Sequence, residues 1–151
     1  MNQELLIQQT KVESQALEHI TRALEVMIGW CVDGDGYCRK LSSVRFFAGL
    51  YQRHLERLFA LEEIDGYMES ISRLKPELTS QVDVLKREHE RFRAAVRKSV
   101  VRLDLASPTQ LAEFDATCVE LRKTINQVLE HLRRENELLV ESFHRDTGGE
   151  A

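Results

Sequence analysis

Apolar residues recur at spacings of three and four along nearly the whole chain, the stripe that an amphipathic helix turns toward its neighbours. One stripe runs Val12, Ala16, Ala23, Val26 and Trp30. A second runs Val82, Leu85, Phe92, Val96 and Leu103, and a third Leu121, Ile125, Val128 and Leu138. Between the first and second lies a ladder of Leu50, Leu58 and Leu61, in phase with Val44 and Phe47. No stretch alternates with period two for long enough to predict a strand. Punctuation is sparse. Asp33-Gly34-Asp35-Gly36 predicts a turn after a first helix from about Asn2 to Val32. A second helix is expected from about Leu41 to Leu74, breaking or bending around Asp65-Gly66, and a third from Pro76 to Leu103, because proline suits a first helical turn. Ser107-Pro108-Thr109-Gln110 has the spacing of a capping box and opens a fourth helix continuing to about His144. Long helices joined by short turns predict an all-α fold, an antiparallel up-down-up-down four-helix bundle. It is read as one domain over 1–146 with a frayed tail at 147–151.

Polar residues interrupt these stripes. His19 falls in the first, His89 in the second, His131 and Glu135 in the third, and His54 and Glu62 in the ladder. A polar group buried without a partner costs several kcal/mol, so these residues are expected to satisfy one another or a shared ion. His131 and Glu135 are four residues apart, which places them on one helix face a turn apart. Mixed nitrogen and oxygen donors suit iron, manganese or zinc better than calcium or copper(I). His54 and Glu62 are eight apart, about 12 Å along a helix axis, too far to serve one ion together. Counting back from Pro76 sets Glu62 level with His89, whereas counting forward from the first turn sets His54 level with His19.

Composition narrows the function classes. The chain has 151 residues, 42% hydrophobic and 30% charged, and reads as globular rather than disordered. Net charge is −4 with basic residues dispersed among acidic ones, which argues against nucleic acid as a partner. No apolar run approaches the ~20 residues of a membrane span, and Met1-Asn2-Gln3-Glu4 opens no secretory signal. Cys31, Cys38 and Cys118 form an odd set without CxxC pairing, so a reduced, cytoplasmic protein is expected. Asp33 and Asp35 lack the rest of a calcium-loop pattern. No nucleophile triad or phosphate-binding glycine loop is present, so no catalytic residue is assigned and turnover is not expected.

The chain resembles the hemerythrin-like (HHE cation-binding) family over nearly its whole length. The likeness is carried by Glu18-His19-Ile20-Thr21-Arg22-Ala23, by Phe46-Phe47 followed by Glu62-Glu63, and by Glu88-His89-Glu90. It is closest at His131-Leu132-Arg133-Arg134-Glu135, similar to the family's fourth-helix H-x-x-x-E. The resemblance implies a bundle around a non-haem di-iron centre, with His19, His89, His131, Glu135 and Glu62 as ligands and His54 as a further candidate. It implies one or two iron ions per chain and binding or sensing of dioxygen, nitric oxide or a related small oxidant. One departure stands out: four residues before Glu62 and Glu63, where the family carries histidine, this chain has Leu58 and Phe59. A metal-free helical interaction protein is the alternative that this departure supports. A histidine phosphotransfer module is the second alternative. It would use His54 within Arg53-His54-Leu55-Glu56-Arg57, which lacks the lysine-glycine that gives such a histidine access.

Overall fold

The computed structural model describes residues 3–64 and 66–147, with side chains over 4–64 and 66–142. Every regular element among the described residues is helical: α1 (Gln3–Gly29), α2 (Gly36–Glu63), α3 (Tyr67–Leu74), α4 (Thr79–Leu105) and α5 (Leu111–Thr147), with a 3-10 turn at Pro76–Leu78 before α4. Four helices are long and α3 is a two-turn insertion. Residues 148–151 of the expected tail lie outside the described residues.

The connections follow their turn chemistry. Gly34 takes φ +55, which glycine adopts without a Cβ penalty, and Gly36 N–H donates to Asp33 O. Of the break or bend expected around Asp65-Gly66 the structure has the break: α2 ends at Glu63 and α3 begins at Tyr67. A Cβ on Gly66 would come within 2.3 Å of Leu61 O, so the chain passes too close to the end of α2 for any side chain. At Ser107, the Gln110 side chain accepts from Ser107 N–H as a capping box requires. Ser107 Oγ, however, accepts from Thr109 N–H, and the helix starts at Leu111.

α1 packs chiefly on α2, α2 on α4, and α4 on α5. Partners occur in opposite chain order on neighbouring helices. Lys40 Nζ donates to Trp30 O while His54 meets Glu13; Arg45 donates to Leu103 O while Arg93 reaches Glu63. The stripes expected for α4 and α5 are buried throughout. That of α1 is not: its buried positions are Leu6, Leu17, Leu24 and Ile28, while Val12, Val26 and Trp30 face outward. Phe46 is also exposed, whereas Phe59, Phe92 and Phe114 are core. Two apolar clusters result, a long one around Leu24, Tyr51, Phe92 and Leu121, and a small one of Met68, Ile71, Leu78, Val82, Leu85 and Leu138 beneath α3. A polar layer separates them.

Candidate metal centre

That layer is built by α2, α4 and α5. On α4 the buried stripe passes from Val82 and Leu85 through His89 to Phe92, and on α5 from Val128 through His131 and Glu135 to Leu138. The three polar side chains are 0%, 0% and 5% exposed. Both imidazoles turn Nε2 toward the same carboxylate oxygen: Glu135 Oε1 lies 2.9 Å from His89 and 2.6 Å from His131. The donor atoms of His89, His131 and Glu135 all fall within 4.8 Å of one another, close enough to hold a metal ion. Glu62, at the C-terminal end of α2 and 3% exposed, joins from the third helix with Oε2 3.7 Å from His89 Nε2.

The opposite edge of each ring faces a carboxylate fixed by an arginine. His89 Nδ1 is 2.8 Å from Glu63 Oε1, and Arg93 holds Glu63 at 2.8 and 3.1 Å. His131 Nδ1 is 3.4 Å from Glu88 Oε2, outside hydrogen-bonding geometry, and has no other partner. Arg134 grips both Glu88 oxygens at 2.5 and 2.6 Å. Phe59 stacks on His89 with centroids 3.7 Å apart, and Phe92 meets His131 edge-on at 5.3 Å, so aromatic rings wall the centre from water. Tyr67, from α3, donates to Glu62 Oε2 at 3.3 Å.

Electrostatics divides the carboxylates. Burial raises Glu62 well above the usual range, and the adjacent charge of Glu135 adds to it. Burial pushes Glu135 the same way, but hydrogen bonds from His131 and His89 outweigh it and hold Glu135 down at about 2. Glu62 and Glu135 thus share a proton, carried by Glu62. Glu63 and Glu88 are both lowered: burial opposes the shift, and the hydrogen bonds of Arg93 and Arg134 respectively override it. Burial, with the charges of Glu62 and Glu135, raises the Tyr67 phenol and keeps it protonated as a donor.

The residue types can be tested against a cation. Glu63 is held ionised by Arg93 and can only accept, so His89 donates to it from Nδ1, while the hydrogen bonds that hold Glu135 down run from the two Nε2 edges. A metal ion can take the place of a proton at those edges, where two imidazoles and an ionised carboxylate converge in a dry site. Imidazole backed by a carboxylate is also how proteins orient histidine toward a metal. The donor set fits.

The family model for the hemerythrin HHE cation binding domain matches residues 7–142. The chain belongs to this family. No curated protein and no solved structure matches it. As a hemerythrin-family protein it gathers only part of the donor set that the sequence suggested. His89, His131, Glu135 and Glu62 come together. His19 is exposed on the outer face of α1. His54 lies off the layer, with Nδ1 2.5 Å from Glu13 Oε2 on α1 and a side chain 22% exposed. Leu58 and Phe59, standing where the family carries histidine, are core residues. The side chain of His144 lies outside the described residues.

Sequence reasoning missed Tyr67, because the α3 insertion was read as a continuation of α2. Glu88 is readable in sequence as a carboxylate that could orient an imidazole, although the charge run around it otherwise reads as a solvated face; it is 8% exposed and faces His131. The usable signal was Arg134, which sits one residue before Glu135 and reaches the residue preceding His89.

Proposed function

We propose that this protein is a single-domain, antiparallel up-down-up-down bundle over 1–146 that binds one non-haem iron ion per chain and uses it to bind or sense a small diatomic ligand. His89 Nε2, His131 Nε2 and Glu135 are the ligands, with Glu62 as the fourth group. The observation that carries this reading is the convergence of two buried Nε2 atoms on one carboxylate while both Nδ1 edges face arginine-held carboxylates. Opposite chain order of helix partners supports the bundle topology.

Two histidines with one carboxylate make the donor set of non-haem ferrous sites. When bound there, iron supplies an open position for dioxygen, nitric oxide or a related oxidant, together with one-electron redox chemistry. The chain's own residues do the rest. Glu63 and Glu88 orient the imidazoles, Phe59 and Phe92 exclude water, and Glu62 with Tyr67 keeps a proton beside Glu135. One ion rather than two is supported by the positions of His19 and His54, neither of which joins this layer. A reduced cytoplasmic setting suits ferrous iron.

Metal quantification after iron-replete expression, with the visible spectrum recorded before and after dioxygen and nitric oxide, tests the proposal. About one iron per chain with a gas-dependent spectrum is expected. Two irons per chain would sink the mononuclear reading, and manganese or zinc in preference to iron would sink the gas-binding one. A metal-free scaffold is the second reading. It is favoured by the fact that each Nε2 already has a carboxylate within hydrogen-bonding distance, so protonated imidazoles would satisfy the cluster. Absence of metal at any supplied concentration would establish it.

A further inference from the structure

The carboxylate behind His131 also lines a surface groove. Between α4 and α5 a cavity of about 520 Å³ is bounded by Glu88 and Glu130 and by four cations, Arg91, Arg122, Lys123 and Arg134. In a chain of net charge −4 this is a local excess of positive charge. Both carboxylates are already engaged. Arg133, outside the groove, holds the two oxygens of Glu130 at 2.5 and 3.0 Å. Arg134 holds those of Glu88 at 2.5 and 2.6 Å. Arg91 comes only within 3.8 Å of Glu88 Oε2, and Arg122 and Lys123 are exposed with no ion-pair partner among the described residues. Asn126 and Gln127 extend the same wall with exposed amides. Guanidinium forks converging on open volume recognise an oxyanion.

A second observation lies beneath the groove. His131 Nδ1 is buried without a hydrogen-bond partner, 3.4 Å from Glu88 Oε2. That oxygen is the one that accepts from Arg134 Nη2 and also faces Arg91. Arginine thus holds, from the groove side, the acceptor that the imidazole lacks. A metal on Nε2 leaves the histidine proton on Nδ1, where it needs that acceptor. We infer that the groove binds a phosphate-class oxyanion, which engages Arg91 and Arg134 and releases Glu88 to accept from His131 Nδ1, so that anion and metal each favour the other. Charge selects the ligand: Arg122 and Lys123 are two uncompensated cations, and a phosphate ester carries about −1.5 to −2 at neutral pH. The volume exceeds that of a bare ion and falls within the range of small-molecule sites, so phosphate carried on a small organic molecule fits. Linkage makes the effect reciprocal. The coupling rests on the metal reading above, whereas the anion site stands without it.

NMR of the metal-free full chain tests the site, by titration with inorganic phosphate and with glycerol phosphate against sodium chloride of equal ionic strength. Saturable shifts are expected at the Asn126 and Gln127 amides and at the arginine Nε–H groups. Glycerol phosphate is expected to bind several-fold tighter; the reverse order would support free phosphate as the source of the anion. Arg122→Ala combined with Lys123→Ala should weaken binding about 10-fold or more through the lost charged donors, with helical circular dichroism unchanged. Lys123→Glu, a single exchange at an exposed position, should weaken it several-fold. Shifts that chloride reproduces, or that both variants retain, would overturn the site. The coupling is read by anaerobic competition titration of ferrous ion with and without saturating glycerol phosphate. Metal affinity is expected to rise several-fold in the wild type and to stay unchanged in the double variant. Equal affinity in both conditions would overturn the coupling. A chain that binds the anion but no metal would sink the metal reading and the coupling together, and would uphold the anion site.

Discussion

Among the histidine–carboxylate contacts that link neighbouring helices, two resemble each other only in distance. His54 meets Glu13 at 2.5 Å between α2 and α1, and His89 meets Glu135 at 2.9 Å between α4 and α5. The first is one imidazole against one carboxylate, partly wet, with Arg57 3.8 Å from the same carboxylate. Its charge needs are met locally, and it fastens α1 to α2. The second is part of two imidazoles and four carboxylates, with both arginines committed to the outer pair. Among the described residues no lysine or arginine is paired at the Nε2 edges. The convergence of two imidazoles and several carboxylates in a dry layer, rather than the presence of histidine, separates a candidate ligand from a structural one.

The comparison breaks most sharply on metal content. His131→Ala or His89→Ala is expected to abolish iron binding, while His19→Ala and His54→Ala retain it in full. Elemental analysis of the four purified variants decides, and a loss at His19 equal to that at His131 would place the centre wrongly. Next in size, Glu88→Ala or Glu63→Ala should weaken metal affinity about 10–100-fold, the usual consequence of losing the group behind a ligating histidine. Titration with ferrous ion under anaerobic conditions would measure it.

Glu62→Gln should separate binding from stability. Its carboxyl is raised in the folded chain, so folding favours the protonated form. The resulting cost appears as pH rises past the unfolded value of about 4.3, and it is complete above the raised folded value. Glutamine mimics the protonated state. The metal-free variant should therefore melt higher than wild type at neutral pH, by an amount worth about 1–2 kcal/mol, and bind metal less well; a lower melting point would contradict the assignment. Glu63 and Glu88 carry the opposite sign. Their lowered values give stability that is whole above the ordinary carboxylate range and is lost as pH falls through their folded values. Replacing either with glutamine should flatten the acid limb of the melting curve. Smallest of all, Glu13→Gln should cost about 1 kcal/mol of stability through the loosened α1–α2 contact, with metal content untouched.

Much of this arrangement was legible along the chain, and the exceptions have causes. The stripes of α4 and α5 identified His89, His131 and Glu135 because each of those helices has one apolar face, so phase alone fixes what is buried. Phase failed on α1, where Val12, His19 and Val26 repeat at helical spacing yet stay exposed, and Leu6, Leu17, Leu24 and Ile28 are buried instead. It failed on α2 for another reason. Glu62 sits at the last turn, and its depth depends on the break at Gly66 and on α3 folding back over it, which no local pattern encodes.

The four long helices, the turns between them and the chemistry of the donor set were thus determined by sequence, because periodicity, glycine and proline act within a few residues. Which helices supply the centre was decided by tertiary structure. The axial register of four rods against one another is set by packing along their whole length, and a shift of one turn exchanges a ligand for a leucine. The pairing of Glu63 with Arg93 and of Glu88 with Arg134 is of the same kind, since only the assembled layer brings a charge on one helix to the back of an imidazole on another.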